Sequence, residues 1–181
     1  MEFEHIVKSK KDAILKKWFD IVAGTYPIDT SGFIKSQKDR FANPAGGAFT
    51  DGLDAMFDDL LNGMDRERLI PNIEPMIKIR AVQDFSPSQA VSFIFSLKTL
   101  VREVLNKKLD DRRMREALFL YESRVDQLVM LAFDIFMGCK ERLYDIKANE
   151  EKSKVYKAFK RAGLITEIQD DDPNLMDSNN F

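Results

Sequence analysis

The second half of the chain carries a long apolar seam. Its members are spaced 4-3-4-3-4-3-4, the repeat of a helix that packs along its whole length. They are Met114, Leu118, Tyr121, Val125, Leu128, Ala132, Ile135 and Cys139. The spacing predicts a helix over residues 111–148, which spans about 57 Å at about 1.5 Å per residue. A compact domain of this size cannot cover that length, so we expect part of the helix to project or to pack against another chain.

A complete helix-start signal lies in the middle of the chain. Ser86 occupies the N-cap position, Pro87 the first helical position, and Gln89 follows the cap by three residues. This is the spacing of a capping box. Residues 90–105 are so apolar that we predict a helix buried on most of its circumference. This helix therefore locates the centre of the fold.

Helical periodicity extends over the rest of the chain, and no strand-like alternation stands out. Proline and glycine set the ends of these helices, with Pro27 after the first and Gly63 as a C-cap. Pro71 and Pro75 bracket the start of another helix. The predicted elements are a helix over residues 4–25, a short piece over 33–41, a turn over 43–47, and helices over 48–62 and 72–84.

The C-terminal part of the chain changes character. Residues 152–161 either prolong the long helix or form a short one, and an acidic, polar stretch follows. We expect residues 1–162 to form a single helical domain and residues 163–181 to form a disordered tail. Helices of uneven length with angular Pro/Gly corners favour an all-α fold with globin-like orthogonal packing over an up-and-down bundle.

The composition narrows the class of protein. Lys plus Arg total 28 and Asp plus Glu total 30, a balance that does not indicate a nucleic-acid surface. No apolar run approaches the length of a membrane span, so we expect no membrane insertion. A single cysteine, Cys139, cannot form an internal disulfide, which favours the cytoplasm. Fourteen Phe and eight Met predict a large helical core, with an apolar ligand pocket as the alternative.

Several short motifs resemble one known family. They are Tyr26-Pro27, Arg40-Phe41-Ala42-Asn43-Pro44, the run IRAVQDFSPSQA over residues 79–90, and Leu97-Lys98. Over residues 15–136 the chain resembles the N-terminal domain of the RsbRD-type co-antagonist proteins of the bacterial stressosome. The run RAVQDFSPSQA is the most specific part of that resemblance.

The resemblance implies a globin-like, all-helical sensory or regulatory module. Such modules dimerise and pass a signal to a downstream domain, a STAS domain in the co-antagonists and a kinase in other architectures. No output domain follows the long helix in this sequence. We therefore expect the output function to be carried by a separate protein partner.

A globin-like fold raises the question of haem, which needs an axial ligand, most often histidine. The only histidine is His5, at the start of the chain, where we expect it on the surface. We interpret Cys139 as a small core residue because it lies on the seam. We predict no haem or other cofactor and no metal site.

Signatures of enzymes are also missing from the sequence. It has no Cys/His cluster with zinc spacing, no phosphate-binding loop and no nucleophile–histidine arrangement away from the terminus. We therefore predict no catalytic residues and a protein that is not an enzyme.

Four polar residues form a candidate regulatory corner before the central helix: Arg80, Gln83, Asp84 and Ser86. Two interpretations stay open. In the structural one, Asp84 and Ser86 satisfy free N–H groups of the helix, and Arg80 pairs with Asp84 at i,i+4. In the functional one, the corner is a regulatory surface or an anion site, because a helix N-terminus presents donors and a partial positive charge.

The predicted function is a cytoplasmic, non-enzymatic regulatory module of bacterial signal transduction that acts through protein–protein contacts. We expect it to be a homodimer joined by the long helix, with Leu128, Phe133 and Phe136 as candidate contact residues. The alternative is a module that binds an apolar small ligand in a Phe/Met-rich helical pocket.

Overall fold

The structure, a computed structural model, describes residues 2–36, 43–83 and 85–165. All regular secondary structure in these residues is helical, which confirms the predicted all-α class. The α-helices are α1 (Glu2–Lys8), α2 (Lys11–Gly24), α3 (Ile28–Ser36), α4 (Pro44–Asn62), α5 (Arg66–Val82), α6 (Pro87–Val91), α7 (Ser96–Leu105) and α8 (Arg112–Arg161). Short 3₁₀ helices occupy Ser92–Phe95 and Asn106–Lys108.

Contacts divide the chain into two compact units, Met1–Glu141 and Arg142–Phe181. The first unit contains a single hydrophobic core, and Trp18, Phe49 and Phe57 are among its largest fully buried side chains. In the second unit every described residue except Leu143 is exposed. Within the described residues, no helix combines the length and the apolar character that crossing a membrane requires.

The helix predicted over residues 4–25 is broken in two, at Ser9 and Lys10. The Ser9 hydroxyl donates to the Ile6 carbonyl at 2.7 Å, and the Lys10 N–H donates to the Val7 carbonyl in a tighter turn. A serine hydroxyl that bonds the preceding turn competes with the helical ladder. The predicted end of this helix is confirmed, since α2 stops at Gly24.

The turn predicted over residues 43–47 is the first turn of α4. Asn43 is its N-cap: its side-chain oxygen accepts from the Gly46 N–H at 2.8 Å, and its amide donates to the Ile34 carbonyl at 2.9 Å. A Cβ on Gly46 would come within 2.4 Å of the Asn43 amide nitrogen, so only glycine fits there. The predicted C-cap at Gly63 is confirmed, with a left-handed φ of 105°.

Both prolines expected to bracket the next helix lie inside α5 instead. Asp65 caps this helix six residues before Pro71 by accepting from the N–H groups of Glu67 and Arg68. Pro71 and Pro75 are exposed, so water can solvate the carbonyl groups that lose their helical donors. The opposite face is buried and holds the helix in place, through Leu69, Ile73, Met76, Ile77, Arg80 and Ala81.

The central segment begins as predicted but is not one helix. The capping box is confirmed, because the Ser86 hydroxyl accepts from the Gln89 N–H and the Gln89 side chain accepts from the Ser86 N–H. After α6 the chain tightens into a 3₁₀ helix, where the Phe93 carbonyl accepts from the Trp18 indole at 2.9 Å and from the Ser96 hydroxyl at 2.6 Å. The Trp18 indole of α2 thus engages a carbonyl that an α-helical ladder would otherwise use.

The prediction that the helix over residues 90–105 is buried around most of its circumference was wrong. Phe95, Thr99 and Arg102 are exposed, and the apolar residues form one broad stripe. On the solvent-facing side of α7, Arg102 forms a salt bridge with Glu122 of α8 at 2.5 Å, and Lys98 forms one with Asp126 at 2.6 Å.

Helix α8 is longer than predicted, with 50 residues, and residues 152–161 prolong it. The seam is buried as expected except for Ile135, which is half-buried. Residues of the same chain cover this seam; for example, the ring centres of Tyr121 and Phe3 lie 5.7 Å apart. In addition, Arg124 donates to the Leu60 carbonyl of α4 at 2.9 Å. In Met1–Glu141 the seam therefore needs no second chain to cover it.

Candidate functional site

Arg80 occupies the last turn of α5 and is fully buried, at 0% exposure. Its guanidinium donates from Nε to the Ala90 carbonyl at 2.8 Å and from Nη2 to the Gln89 carbonyl at 3.2 Å. Its Nη1 donates to the Thr25 hydroxyl at 3.1 Å. One side chain therefore ties α5 to α6 and to the C-terminal end of α2.

Three aromatic rings surround this guanidinium. The Arg80 Cζ lies 4.2 Å from the centre of the Phe85 ring, 5.1 Å from that of Tyr26 and 5.2 Å from that of Phe93. Rings at these distances attract a cation through their negative faces, most strongly where water is excluded. Burial lowers the pKa of Arg80, and the adjacent Tyr26 raises it. Arginine is not deprotonated in proteins, so the cluster holds a positive charge.

A cleft of about 430 Å³ lies beside the Arg80 cluster. It is lined by Thr25, Tyr26, Pro27, Thr30, Gln83, Phe85 and Gln89. The Tyr26 hydroxyl and the Gln83 side-chain oxygen are buried. The hydroxyl interacts with the Arg80 guanidinium, and the Gln83 oxygen has no hydrogen-bond partner in the described part of the chain. Burial raises the pKa of Tyr26 although the charge of Arg80 opposes it. The phenol is therefore protonated at neutral pH and can donate.

The structure brings part of the candidate regulatory corner together. Arg80 and Gln83 lie at the end of α5, and Lys140 of α8 donates to the Gln83 carbonyl at 3.2 Å. Ser86 acts in the capping box, so its structural interpretation is confirmed. Arg80 is in the interior, not on a surface as the functional interpretation allowed. Asp84, and with it the predicted Arg80–Asp84 pair, lies outside the described residues.

Sequence reasoning missed the aromatic side chains around Arg80. Phe85 and Phe93 lie in the recognised central segment, but nothing in their spacing indicated contact with an arginine. Thr25 and Arg80 are 55 residues apart in the chain. The available signal was the neighbouring Tyr26-Pro27, which is one of the motifs in the family resemblance.

The candidate dimer residues differ in burial. Leu128 and Phe136 are both at 0% exposure within a single chain, and Phe133 is half-buried. The side chains of Leu128 and Phe136 therefore pack in the core of their own chain and are not free to touch another. The exposed apolar side chains on this part of α8 are Phe119, Leu120 and Met130.

The side chains that could serve as haem ligands differ in burial. His5 is exposed on α1, and Cys139 is buried on the seam of α8. The Tyr121 hydroxyl is buried and unpartnered among the described residues. Residues 2–36, 43–83 and 85–165 contain no group of three or more His, Cys, Asp or Glu side chains that could hold a metal ion.

Comparison with known proteins gives two similarities. The model of the RsbT co-antagonist protein rsbRD N-terminal domain matches residues 12–150, more than half of the chain. An uncharacterised protein of Archaeoglobus fulgidus is 19% identical over 148 residues, covering 77% of this chain and 83% of that protein. No solved structure matches significantly. The family match confirms the resemblance predicted from the motifs around Arg80.

Proposed function

We propose that this chain, which belongs to the RsbT co-antagonist protein rsbRD N-terminal domain family, is a non-enzymatic sensory and regulatory module of bacterial signal transduction. It acts through protein–protein contacts, and a separate partner carries the output. The observation that carries this proposal is the family match over residues 12–150, which extends from α2 into α8. A co-antagonist domain is a regulatory domain, so the match supports the regulatory class.

The Arg80 cluster supplies a mechanism for such a module. Three hydrogen bonds and three ring contacts connect the end of α5 to α6 and to the end of α2. A signal that favours a second packing of this cluster would displace α6 together with α5. A regulatory protein needs such a shift between two populated arrangements, each presenting a different surface to its partner.

Capture of partners from a native lysate tests the regulatory function. Immobilised folded chain is expected to enrich at least one protein that a heat-unfolded bait does not retain. That protein, once purified, is expected to rebind the chain with a measurable dissociation constant. If no protein is enriched by the folded bait and rebinds, regulation through protein contacts is contradicted.

The module is a homodimer in this proposal, with α8 as the contact helix. Phe119, Leu120 and Met130 are 72%, 60% and 61% exposed. Phe119 and Met130 are three helical turns apart and therefore lie on the same side of α8. We propose this face for the dimer contact because Leu128 and Phe136, the residues predicted for it, are buried within a single chain.

The module works without haem in this proposal. Exposure of His5 on α1 supports that, because a proximal ligand has to lie deep in a helical pocket. Globin-like packing, a single domain over residues 1–162 and a cytoplasmic location stay predictions.

Binding of an apolar ligand among the core Phe and Met residues is the second candidate, and no specific observation favours it. Their buried members, such as Phe49, Met56 and Phe57, belong to the hydrophobic core cluster. One partly buried Phe lines each of the two clefts, Phe85 in the cleft beside the Arg80 cluster and Phe19 in the cleft between α2 and α4.

A further inference from the structure

We propose that an acidic segment, residues 166–181, binds back onto a groove along the C-terminal end of α8 in the same chain. The groove belongs to the second unit, Arg142–Phe181, and the acidic segment follows Ile165, the last described residue. The inference goes beyond the proposed function, because it concerns a contact within one chain and can be tested without any partner protein.

The groove lies on one face of α8 and has a volume of about 500 Å³. Its helical walls recur at spacings of three, four and seven residues, which place them on one side of a helix. The lining residues are Ala148, Glu151, Lys152, Val155, Tyr156, Phe159 and Ile165. Val155, Tyr156 and Phe159 are exposed. Neighbouring exposed apolar side chains with a polar rim indicate a binding surface.

The charge of the chain changes sign where the helix ends. Residues 152–165 contain five basic residues and no acidic one: Lys152, Lys154, Lys157, Lys160 and Arg161. Residues 166–181 contain five acidic residues and no basic one: Glu167, Asp170, Asp171, Asp172 and Asp177. Lys154 forms a salt bridge with Glu151 at 2.6 Å, but both side chains are exposed, and such pairs contribute little to stability. The two segments are equal in charge and opposite in sign, so each is complementary to the other.

The end of α8 directs the chain toward the groove. Gly163 has a left-handed φ of 67°, and its N–H donates to the Lys160 carbonyl at 3.2 Å. The Leu164 N–H donates to the Phe159 carbonyl at 3.0 Å. These two bonds form a Schellman motif, which ends the helix. Ile165 then lines the same groove as Phe159, so the acidic segment starts at the groove itself.

The acidic segment is long enough to cover the groove. From Ala148 to Phe159 the helix rises about 16 Å at about 1.5 Å per residue. The sixteen residues of the segment reach about 50 Å when extended, at about 3.3 Å per residue. Ile168, Leu175 and Met176 can supply apolar contacts. Such a segment needs no fold of its own in order to bind a surface of opposite charge.

Covalent attachment favours this segment over any other occupant of the groove. A short connection gives an attached segment an effective concentration of about millimolar, without any new contact. A second copy of the chain and an anionic lipid surface could satisfy the same charges, but neither has that advantage.

Amide hydrogen exchange of the full chain tests the proposal. Asp170→Asn, Asp171→Asn and Asp172→Asn, made together, remove three charges without shortening the segment. We expect the amides of Val155 and Phe159 to exchange at least about fivefold faster in this variant, because an uncovered helix end opens more readily. The unchanged chain in about 1 M sodium chloride should approach the variant, since salt at that concentration screens exposed charges.

A matched variant separates charge from other effects of substitution. Asp170→Glu, Asp171→Glu and Asp172→Glu, made together, keep the charge and should leave the exchange of the same two amides unchanged. The amide of Leu128, in the middle of α8, should exchange alike in all three proteins, which shows that the core is intact. Exchange should also be the same over an about tenfold range of protein concentration, because the contact lies within one chain.

The proposal is overturned if the Asn variant exchanges like the unchanged chain, or if the Glu variant exchanges like the Asn variant. Protection of Val155 and Phe159 that rises with protein concentration would show that a second copy covers the groove, and overturns it too. Phosphatidylglycerol vesicles that sediment with the unchanged chain as tightly as with the Asn variant would assign the groove to a lipid surface instead. None of these results bears on the capture of partner proteins, so the two proposals fail independently.

Discussion

Arg80 shows how one buried charge can be stabilised without a surface partner. Removing a guanidinium from water is costly unless its donors are bonded. Here the three bonds go to the carbonyl groups of Gln89 and Ala90 and to the Thr25 hydroxyl, while aromatic rings cover its faces. The same contacts hold three helices together, so the side chain is structural as well as the centre of the candidate site.

Replacement of Arg80 by methionine tests this structural part. Met keeps most of the stem volume but removes the Arg80 donors from the carbonyl groups of Ala90 and Gln89, and the Gln89 carbonyl keeps only the bond of 3.4 Å from the Ser92 hydroxyl. We expect the free energy of unfolding to fall by about 3 kcal/mol, since each unsatisfied buried group costs about 1–3 kcal/mol. Urea denaturation measures the change. Lys78→Met, an exposed position on the same helix, should change stability by less than about 0.5 kcal/mol. An equally small effect of Arg80→Met would contradict the structural role.

Tyr121 gives a prediction on pH. Burial raises the pKa of its phenol above the usual value of about 10. The folded chain therefore holds the proton more tightly than the unfolded chain does. The stability that this supplies is complete below about pH 10 and is lost as the pH rises further. We expect Tyr121→Phe to lose less stability than the unchanged protein between about pH 9 and pH 11 in urea denaturation. Parallel losses in the two proteins would refute the explanation.

At the scale of single elements, the caps were the most predictable features. The Ser86 capping box, the Gly63 C-cap and the end of α2 were all recognised from neighbouring residue types. The predicted helix bounds were wrong where contacts with residues distant in sequence affect the backbone. The Trp18 indole binds the Phe93 carbonyl and accompanies the 3₁₀ segment, and a buried face keeps α5 helical through two prolines.

Asn43 links α3 to α4, and its replacement tests how much this link contributes to stability. Its side chain caps α4 and also donates to the carbonyl groups of Ile34 and Phe33 at the end of α3. Asn43→Ala is expected to cost about 2–3 kcal/mol of stability, because cap and donors are lost together. Asp65→Ala removes the exposed cap of α5 alone and should cost about 1 kcal/mol. Equal losses in thermal denaturation would show that the link from Asn43 to α3 contributes nothing.

At the scale of the whole molecule, the part of α8 within Met1–Glu141 contributes first to the hydrophobic core of its own chain. A 4-3 repeat looks the same whether a second chain or the rest of the same chain covers it. In the Met1–Glu141 unit the same chain covers it, as the burial of Leu128 and Ala132 shows. In this unit, the exposed side of α8 with Phe119 and Met130 is the face that we propose for contact with a second copy.

Light scattering with paired substitutions tests that dimer. Phe119→Ser with Met130→Ser is expected to halve the molar mass at micromolar concentration while the melting temperature stays within a few degrees. Leu128→Ser should instead lower the melting temperature strongly, because it places a hydroxyl at a fully buried apolar site. Ile28→Ser, at 89% exposure on α3, serves as the surface control and should change neither value. A monomeric unchanged protein would refute the dimer.

The amino-acid sequence alone determined the helical class, several helix ends and the buried seam of α8. These features depend on residues at most four positions apart, and such spacings are visible in a chain before it folds. The RAVQDFSPSQA run also identified the family. Only the tertiary structure decided that Arg80 points inward, that Tyr26 and Phe85 enclose it, and that the chain covers its own seam. The contact of Arg80 with Tyr26 and the packing of α8 on the core join residues far apart in sequence, and Phe85 is more than one helical turn from Arg80, so packing of the whole core selects these contacts.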